Sequence, residues 1–136
     1  MTNIAPQNPQ LNRGMWADLE KSTRGLLKYK DINDIYVVTG TLYYKNTSLG
    51  EFNGVQIPTH FYKVIIEPQH GYSAAYLIPN DGSAVNHFSQ YLIKIRDLEK
   101  VAKIDFNPQL SSQSANEIEV GKNAGVLNKY LSQVNN

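Results

Sequence analysis

Cysteine is absent from this sequence of 136 residues, and proline occurs only six times. Without cysteine the chain cannot form a disulfide scaffold, a zinc site built on thiolates or a cysteine nucleophile. No apolar run approaches the roughly 18–20 residues that a membrane-spanning helix needs, so we expect no membrane partner. This sequence does not begin with the basic stretch and following apolar stretch of a secretory signal, and the sequence does not indicate a cellular compartment.

Neither sign of charge dominates, because 13 lysines and arginines stand against 12 aspartates and glutamates. This balance excludes a histone-like basic protein and an acidic tail protein. The charge is uneven, however: residues 10–30 carry five basic and two acidic side chains, a local net charge of +3. This segment could attract a polyanion, although solvated surface lysines explain the same count.

Apolar residues make up 41% of the chain, and nine tyrosines accompany four phenylalanines and one tryptophan. That composition and length predict one α+β domain with a mainly antiparallel sheet. The last 26 residues differ from the rest, since serine, asparagine and glutamine supply 11 of them. We therefore predict a folded portion over residues 1–110 and a polar, loosely packed C-terminal extension over residues 111–136, with one helical turn near 127–131.

A long helix is predicted from the Asn8-Pro9 start to about Lys30, since asparagine is a good N-cap and proline a good first residue. One apolar stripe follows a period of 100° per residue, with Trp16 and Leu27 widening it. Its members are Leu11, Met15, Leu19, Ser22 and Leu26.

Four strands are predicted at residues 35–44, 60–67, 73–78 and 90–95 from their β-branched and aromatic content, and a short helix at 96–103. The strands at 60–67 and 73–78 resemble a hairpin. Gly40 indicates a bulge or tight turn within the first strand, and residues 46–56 are predicted to form an exposed loop.

Three polar side chains of the long helix are spaced so that they could converge. Asn12 lies about 20° beyond the apolar stripe, and Glu20 lies about 12 Å further along the axis. Arg24 follows one turn later, and both side chains lean back toward Asn12. An amide, a carboxylate and a guanidinium suit a hydrated divalent cation beside a phosphate. The alternative is a surface helix with Glu20 and Arg24 as an i, i+4 salt pair.

The three histidines, His60, His70 and His87, do not have the spacing of a zinc site, and each is expected at the surface or at a strand edge. The sequence also contains no phosphate-cradling glycine loop and no nucleophile elbow.

Several blocks of this sequence resemble the DNA/RNA non-specific endonucleases, the ββα-metal or His-Me finger nucleases. The specific block is the run of residues 3–7 (Asn-Ile-Ala-Pro-Gln), followed by Leu11-Asn12, Trp16 and Leu19-Glu20. Supporting blocks lie at 37–40, 57–64, 75–80, 97–99 and 105–106. The resemblance covers about residues 1–110 and implies a partial His-Me finger fold in which the long helix carries the metal site.

The resemblance implies hydrolysis of phosphodiester bonds in DNA and RNA, assisted by Mg²⁺ or another divalent cation such as Mn²⁺. Carried over by position, Asn12 is the metal ligand and Glu20 holds the water shell of the metal. Arg24 stabilises phosphate charge, and Asn3 and Gln7 line the site. The metal stabilises developing negative charge as a Lewis acid.

This sequence departs from the family pattern at the general base. The family's Asp-Arg-Gly-His motif lies upstream of the residue 3–7 block, and none of the three histidines here stands in such a motif. We therefore expect a truncated nuclease that cleaves slowly or not at all, since a general base contributes typically about 10²–10⁴-fold. Two alternatives stay open: a non-catalytic remnant that binds nucleic acid or protein, and a remnant whose uncovered sheet edge leads to a homodimer or to aggregation.

Overall fold

The structure is a computed structural model that describes residues 7–9, 14–29, 32–83, 87–103 and 124–134. Within these residues the helices are α1 (Met15–Gly25), α2 (Ile95–Ala102) and α3 (Ala124–Val134). The strands are β1 (Tyr36–Leu42), β2 (Glu51–Phe52), β3 (Val55–Gln56), β4 (His60–Glu67), β5 (Tyr72–Pro79) and β6 (Leu92–Ile93). None of the described helices is both long and apolar enough to cross a membrane.

The main sheet has four strands in the order β1-β4-β5-β6, and each neighbouring pair is antiparallel. Strand β4 lies inside the sheet, and nearly all of its residues are buried. Its register places Thr39 of β1 and Tyr76 of β5 on either side of Lys63. The predicted α+β class with a mainly antiparallel sheet is confirmed.

Successive residues of a strand point to opposite faces, so the apolar strands of this sheet have two faces to bury. Helices cover both of them. One face packs against α1 and α3, and we call the buried cluster there the α1-side core. The other face packs against α2, and its cluster is the α2-side core. The α1-side core includes Phe61 and Ile65 of β4, whereas the α2-side core includes Tyr62 and Val64.

Helix α1 confirms the predicted apolar stripe but not its predicted bounds. Four of its five predicted members are buried, namely Met15, Leu19, Ser22 and Leu26, and Leu11 lies outside the described residues. Gly14 has non-helical dihedral angles and directly precedes the helix, so the continuous helix predicted from Pro9 is wrong; glycine is a poor helix former. After Gly25 the chain tightens into a 3₁₀ turn, which has fewer residues per turn, and Leu27 points outward with 52% of its surface exposed.

The bulge or tight turn predicted at Gly40 of β1 is wrong, whereas the segment 46–56 is largely exposed as predicted but is not a loop throughout. Gly40 lies in regular register opposite Tyr62 rather than in a bulge, and it is glycine because a Cβ there would overlap the Tyr62 ring. The predicted loop at 46–56 contains the β2-β3 hairpin. Its turn residues, Asn53 and Gly54, both have positive φ angles, as a two-residue type I′ turn requires.

The helix near the C-terminus is longer and better packed than predicted. Helix α3 has 11 residues, and Leu127 and Leu131 are fully buried in the α1-side core. The expectation of loose packing is therefore wrong for this segment, because its leucines recur at i, i+4 and join the same core as α1. The predicted strand at 90–95 is reduced to β6, which a 3₁₀ turn (Phe88–Tyr91) precedes.

Candidate functional site

Helix α1 carries Trp16, Glu20 and Arg24 at successive i, i+4 positions, so the three side chains follow one another along one side of the helix. Trp16 is buried, Glu20 is half-buried and Arg24 is exposed. The row thus runs from the core to the surface. Burial of Leu19 and Leu26 against the sheet fixes the rotation of the helix, and this rotation sets the direction of the row.

Glu20 and Arg24 do not pair with each other. Within the described residues the one ion pair with an N···O distance of 4.0 Å or less joins His70 and Glu67. The alternative of a surface salt pair between Glu20 and Arg24 is therefore not what α1 presents. A carboxylate and a guanidinium lie one turn apart, and neither forms an ion pair with any described residue.

The structure adds a lysine that the sequence analysis did not select. Lys63 lies in the middle of β4 and is 6% exposed. Its Nζ donates to the Thr39 hydroxyl at 3.2 Å and lies 5.0 Å from the centroid of the Trp16 ring. Strand alternation directs it toward the same face as Phe61 and Ile65, which lie beneath α1.

Lys63 also interacts electrostatically with two of the charged residues of α1, Glu20 and Arg24. Burial lowers the pKa of Lys63, the negative charge of Glu20 raises this pKa, and the positive charge of Arg24 lowers it. The ammonium of Lys63 is therefore within the electrostatic reach of both groups. We call Trp16, Glu20, Arg24, Thr39 and Lys63 the charged cleft.

Of the other predicted site residues, Asn3 and Asn12 lie outside the described residues. Gln7 is described: its Nε2 is buried and has no hydrogen-bond partner in the described structure. The backbone N–H of the neighbouring Asn8 donates to Asn80 Oδ1 at 2.7 Å, and Asn80 Nδ2 donates to the Pro58 carbonyl at 3.0 Å. These bonds attach the segment of Gln7 to the end of β5. No hydrogen bond joins Gln7 to Glu20 or Arg24 in the part of the chain described.

His60 faces away from the charged cleft. It stands three positions before Lys63 on β4, and an odd separation places two strand residues on opposite faces. The Thr59 hydroxyl donates to the Leu42 carbonyl at 2.9 Å, so its oxygen accepts from His60 Nδ1 at 2.9 Å. Burial lowers the pKa of His60, and Asp81 partly opposes this shift.

The other two histidines are held by local contacts. His70 lies in the β4-β5 turn, where its backbone N–H and Nδ1 each lie 2.9 Å from Oε2 of the buried Glu67. His87 precedes the 3₁₀ turn and accepts from the backbone N–H of Ser89 at 3.1 Å. In the described part of the chain, no three histidine, aspartate or glutamate side chains group as a metal site would require.

A weak sequence signal could have identified Lys63. It is the one charged residue within the run from Phe61 to Ile66, which otherwise consists of aromatic and β-branched residues. A charge inside a buried strand is rare and is commonly paired or functional. The contact of the ammonium with Trp16 could not be predicted from the residues near Lys63 in the sequence, because Trp16 lies on a different element.

Comparison with known proteins gives consistent matches. The family model described as DNA/RNA non-specific endonuclease matches residues 1–113. A nuclease of Serratia marcescens is 35% identical over 107 residues, which cover 74% of this chain and 40% of that protein. The mitochondrial endonuclease G of Bos taurus is 30% identical over 132 residues, covering 84% of this chain and 42% of that protein. Nuclease C1 of Cunninghamella echinulata var. echinulata is 31% identical over 132 residues, covering 87% and 52%.

Proposed function

Because this chain belongs to the DNA/RNA non-specific endonuclease family, we propose that it is part of a His-Me finger nuclease that hydrolyses phosphodiester bonds of DNA and RNA without sequence specificity. The chain spans about two fifths to one half of the length of the relatives above. The observation that carries the proposal is the charged cleft, where Glu20 and Arg24 lie one turn apart without pairing. We further propose residues 1–110 as the nuclease portion and 111–136 as its C-terminal extension.

The residues of the cleft fit a divalent cation of the Mg²⁺ or Mn²⁺ type. Glu20 supplies carboxylate oxygens that no ion pair engages in the described structure, and the chain contains no thiolate ligand. Mg²⁺ keeps most of its waters and needs few protein ligands, so one carboxylate and one amide suffice. We propose Asn12 as the ligand and Glu20 as the acceptor of hydrogen bonds from the water shell. When bound, such a cation stabilises negative charge on the phosphate as a Lewis acid.

The other residues would orient the substrate. Arg24 is exposed, and its planar guanidinium can donate two parallel hydrogen bonds to one phosphate. Lys21 and Lys28 of the same segment are also exposed and would attract the polyanion without reading its sequence. Asn3 and Gln7 are proposed to line the site, and the unpartnered Nε2 of Gln7 is a donor that a substrate oxygen could satisfy.

We propose that this chain by itself has low activity. A general base must come within hydrogen-bond reach of the attacking water. His60 faces the opposite side of the sheet from Glu20, His70 is bound to Glu67, and Nδ1 of His87 accepts from Ser89. Any cleavage would then depend on the cation and on Arg24, without the typical contribution of about 10²–10⁴-fold from a general base.

Plasmid cleavage tests this proposal. The purified chain is incubated with supercoiled DNA and with RNA, with Mg²⁺ or with a chelator. We expect slow nicking that requires the cation and that Glu20→Gln and Arg24→Gln abolish, whereas Lys100→Met on α2 leaves it unchanged. Nicking that survives chelation or both α1 substitutions would contradict the proposal, and turnover at the rate of an intact nuclease would contradict the low activity.

The second candidate function is binding without cleavage, which the exposed Lys21, Arg24 and Lys28 favour. Calorimetry with a short duplex at two salt concentrations separates the two functions. Affinity that falls with salt, does not require Mg²⁺ and is accompanied by no nicking would favour the binding function. Affinity that requires Mg²⁺ and Glu20 would favour the nuclease.

A further inference from the structure

Lys63 is the least expected charge in the described structure. Only two ionisable side chains that are commonly charged at neutral pH are buried among the described residues, and the other, Glu67, has His70 as its partner. Lys63 has no carboxylate within 4.0 Å in that part of the chain. Burial of an ammonium without such a partner is unfavourable, and chains keep it where it has a role.

Among the described residues, two weak contacts hold the ammonium of Lys63. It has three N–H donors, and the Thr39 hydroxyl accepts one of them at 3.2 Å. The face of the Trp16 indole attracts the cation at 5.0 Å. Both contacts hold the position of the charge and neither neutralises it. Its electric field therefore extends to the charged groups above it on α1.

Glu20 is the group of α1 that the positive charge of Lys63 attracts. It follows Trp16 by one helical turn on the same side of α1, and the Trp16 ring lies over the ammonium of Lys63. Glu20 and Lys63 attract each other, whereas Arg24 and Lys63 repel each other. Lys63, on the sheet beneath α1, therefore attracts the Glu20 carboxylate in competition with Arg24. This agrees with the absence of a Glu20–Arg24 ion pair in the described structure.

Direct contact between Lys63 and a nucleic acid is excluded by its burial. A side chain that is 6% exposed beneath Trp16 cannot reach a phosphate unless the indole moves. Arg24, in contrast, is exposed and one turn beyond Glu20, so its guanidinium is able to touch the substrate. The role of Lys63 is therefore indirect.

We propose that Lys63 is a positioning residue of the charged cleft. Its ammonium, held between Trp16 and Thr39, keeps the Glu20 carboxylate directed toward the sheet and away from Arg24. The carboxylate is then free to bind the water shell of a divalent cation, and Arg24 is free to bind phosphate. The part that concerns the cation rests on the proposed function, whereas the coupling of Lys63 to Glu20 does not.

Mn²⁺ binding to the full chain tests the proposal, with free Mn²⁺ measured by electron paramagnetic resonance. We expect Lys63→Met to weaken binding by about 10–100-fold, as the loss of outer-shell partners does at metal sites. Lys63→Arg should retain most of the affinity, because it keeps the charge. Lys100→Met on the opposite face removes the same charge from an exposed site and should change nothing.

Two further measurements separate positioning from a general structural role. Methionine fills similar apolar space, so the thermal midpoint of Lys63→Met should equal or exceed that of the parent. In a Glu20→Gln background, Lys63→Met should cause no further loss of Mn²⁺ affinity, because Lys63 acts through Glu20. An equal loss in both backgrounds would overturn the proposal, and so would full affinity in Lys63→Met.

A cation-free measurement distinguishes this proposal from the proposed function. In a lysine ¹³Cε NMR titration, Glu20→Gln should move the Lys63 transition to lower pH and Arg24→Gln should move it to higher pH. An unchanged transition in both variants would overturn the coupling. If the parent chain binds Mn²⁺ no better than Glu20→Gln does, the proposed function fails, and the titration alone decides whether Lys63 positions Glu20.

Discussion

Replacing Leu131 with alanine tests whether helix α3 belongs to the domain that carries the charged cleft. Leu131 is fully buried and packs in the same core cluster as Trp16 and Leu19 of α1. Its side chain therefore helps to hold the helix that presents Glu20 and Arg24. Residues 124–134 lie beyond the segment that matches the family model, so the family match alone does not predict this contribution.

The size of the effect follows from complete burial. Truncation of a buried leucine to alanine removes apolar contact and leaves a cavity, which lowers the free energy of unfolding by about 2–5 kcal/mol. For a chain of 136 residues the unfolding entropy is about 0.29 kcal/mol per kelvin, so the thermal midpoint should fall by roughly 7–17 °C. Leu27→Ala is the matched control, because this leucine is 52% exposed and the same truncation should change the free energy by less than about 0.5 kcal/mol.

Urea unfolding followed by tryptophan fluorescence measures the difference directly, since Trp16 is the one tryptophan of the chain and lies in the affected core. The midpoint should fall for Leu131→Ala without a large change in the slope of free energy against urea. If Leu131→Ala and Leu27→Ala unfold at the same urea concentration, α3 does not pack on α1 as described. The placement of α3 in the α1-side core would then be refuted.

Two other predictions concern the sheet. Gly40→Ala should lower the free energy of unfolding by about 1–3 kcal/mol because the new Cβ overlaps the Tyr62 ring, and Tyr62→Leu should relieve part of this loss in thermal denaturation of the double variant. A Gly40→Ala protein as stable as the parent would contradict the close approach of the two strands. Burial lowers the folded pKa of His60 from 6.5, so the unfolded chain binds more protons just below that pH and stability should decrease as the pH falls from 7 through 6.5. Thermal midpoints measured between pH 5 and 7.5 should show a smaller decrease in His60→Gln, and a larger one in Asp81→Asn because Asp81 opposes the shift. Parallel curves for the parent and both variants would contradict the burial of His60.

Local patterns predicted the central elements of the fold. Strand β4 is an apolar run between Pro58 and Pro68, and the two prolines limit it because they cannot continue a ladder. The apolar stripe of α1 follows the helical period, and Leu19 and Leu26, which lie within the described residues, are buried as predicted. These elements were predictable because the periodic pattern that identifies each of them lies within its own segment.

Elements that depend on distant partners were predicted poorly. Gly40 was interpreted from its own flexibility, whereas the Tyr62 ring across the strand pair explains it. The polar composition after residue 111 hid the two buried leucines of α3. Composition does not record the i, i+4 spacing that places both leucines on one side of the helix. The hairpin at Asn53-Gly54 is the exception: its signal is local and strong, but Gly50 and Gly54 were interpreted as marks of a loop.

The candidate site shows the same division between local and distant information. Spacing along one helix selected Glu20 and Arg24 as candidate site residues, but it could not decide whether they pair with each other or face a ligand. That decision depends on a third charge, Lys63, which lies on β4 and is far from Glu20 and Arg24 in the sequence. An exposed pair at i, i+4 gains only about 0.2–0.5 kcal/mol, so a buried cation beneath one partner is enough to change which contact is preferred. The proposed role of α1 therefore depends on Lys63 of β4, which helical spacing without the sheet could not reveal.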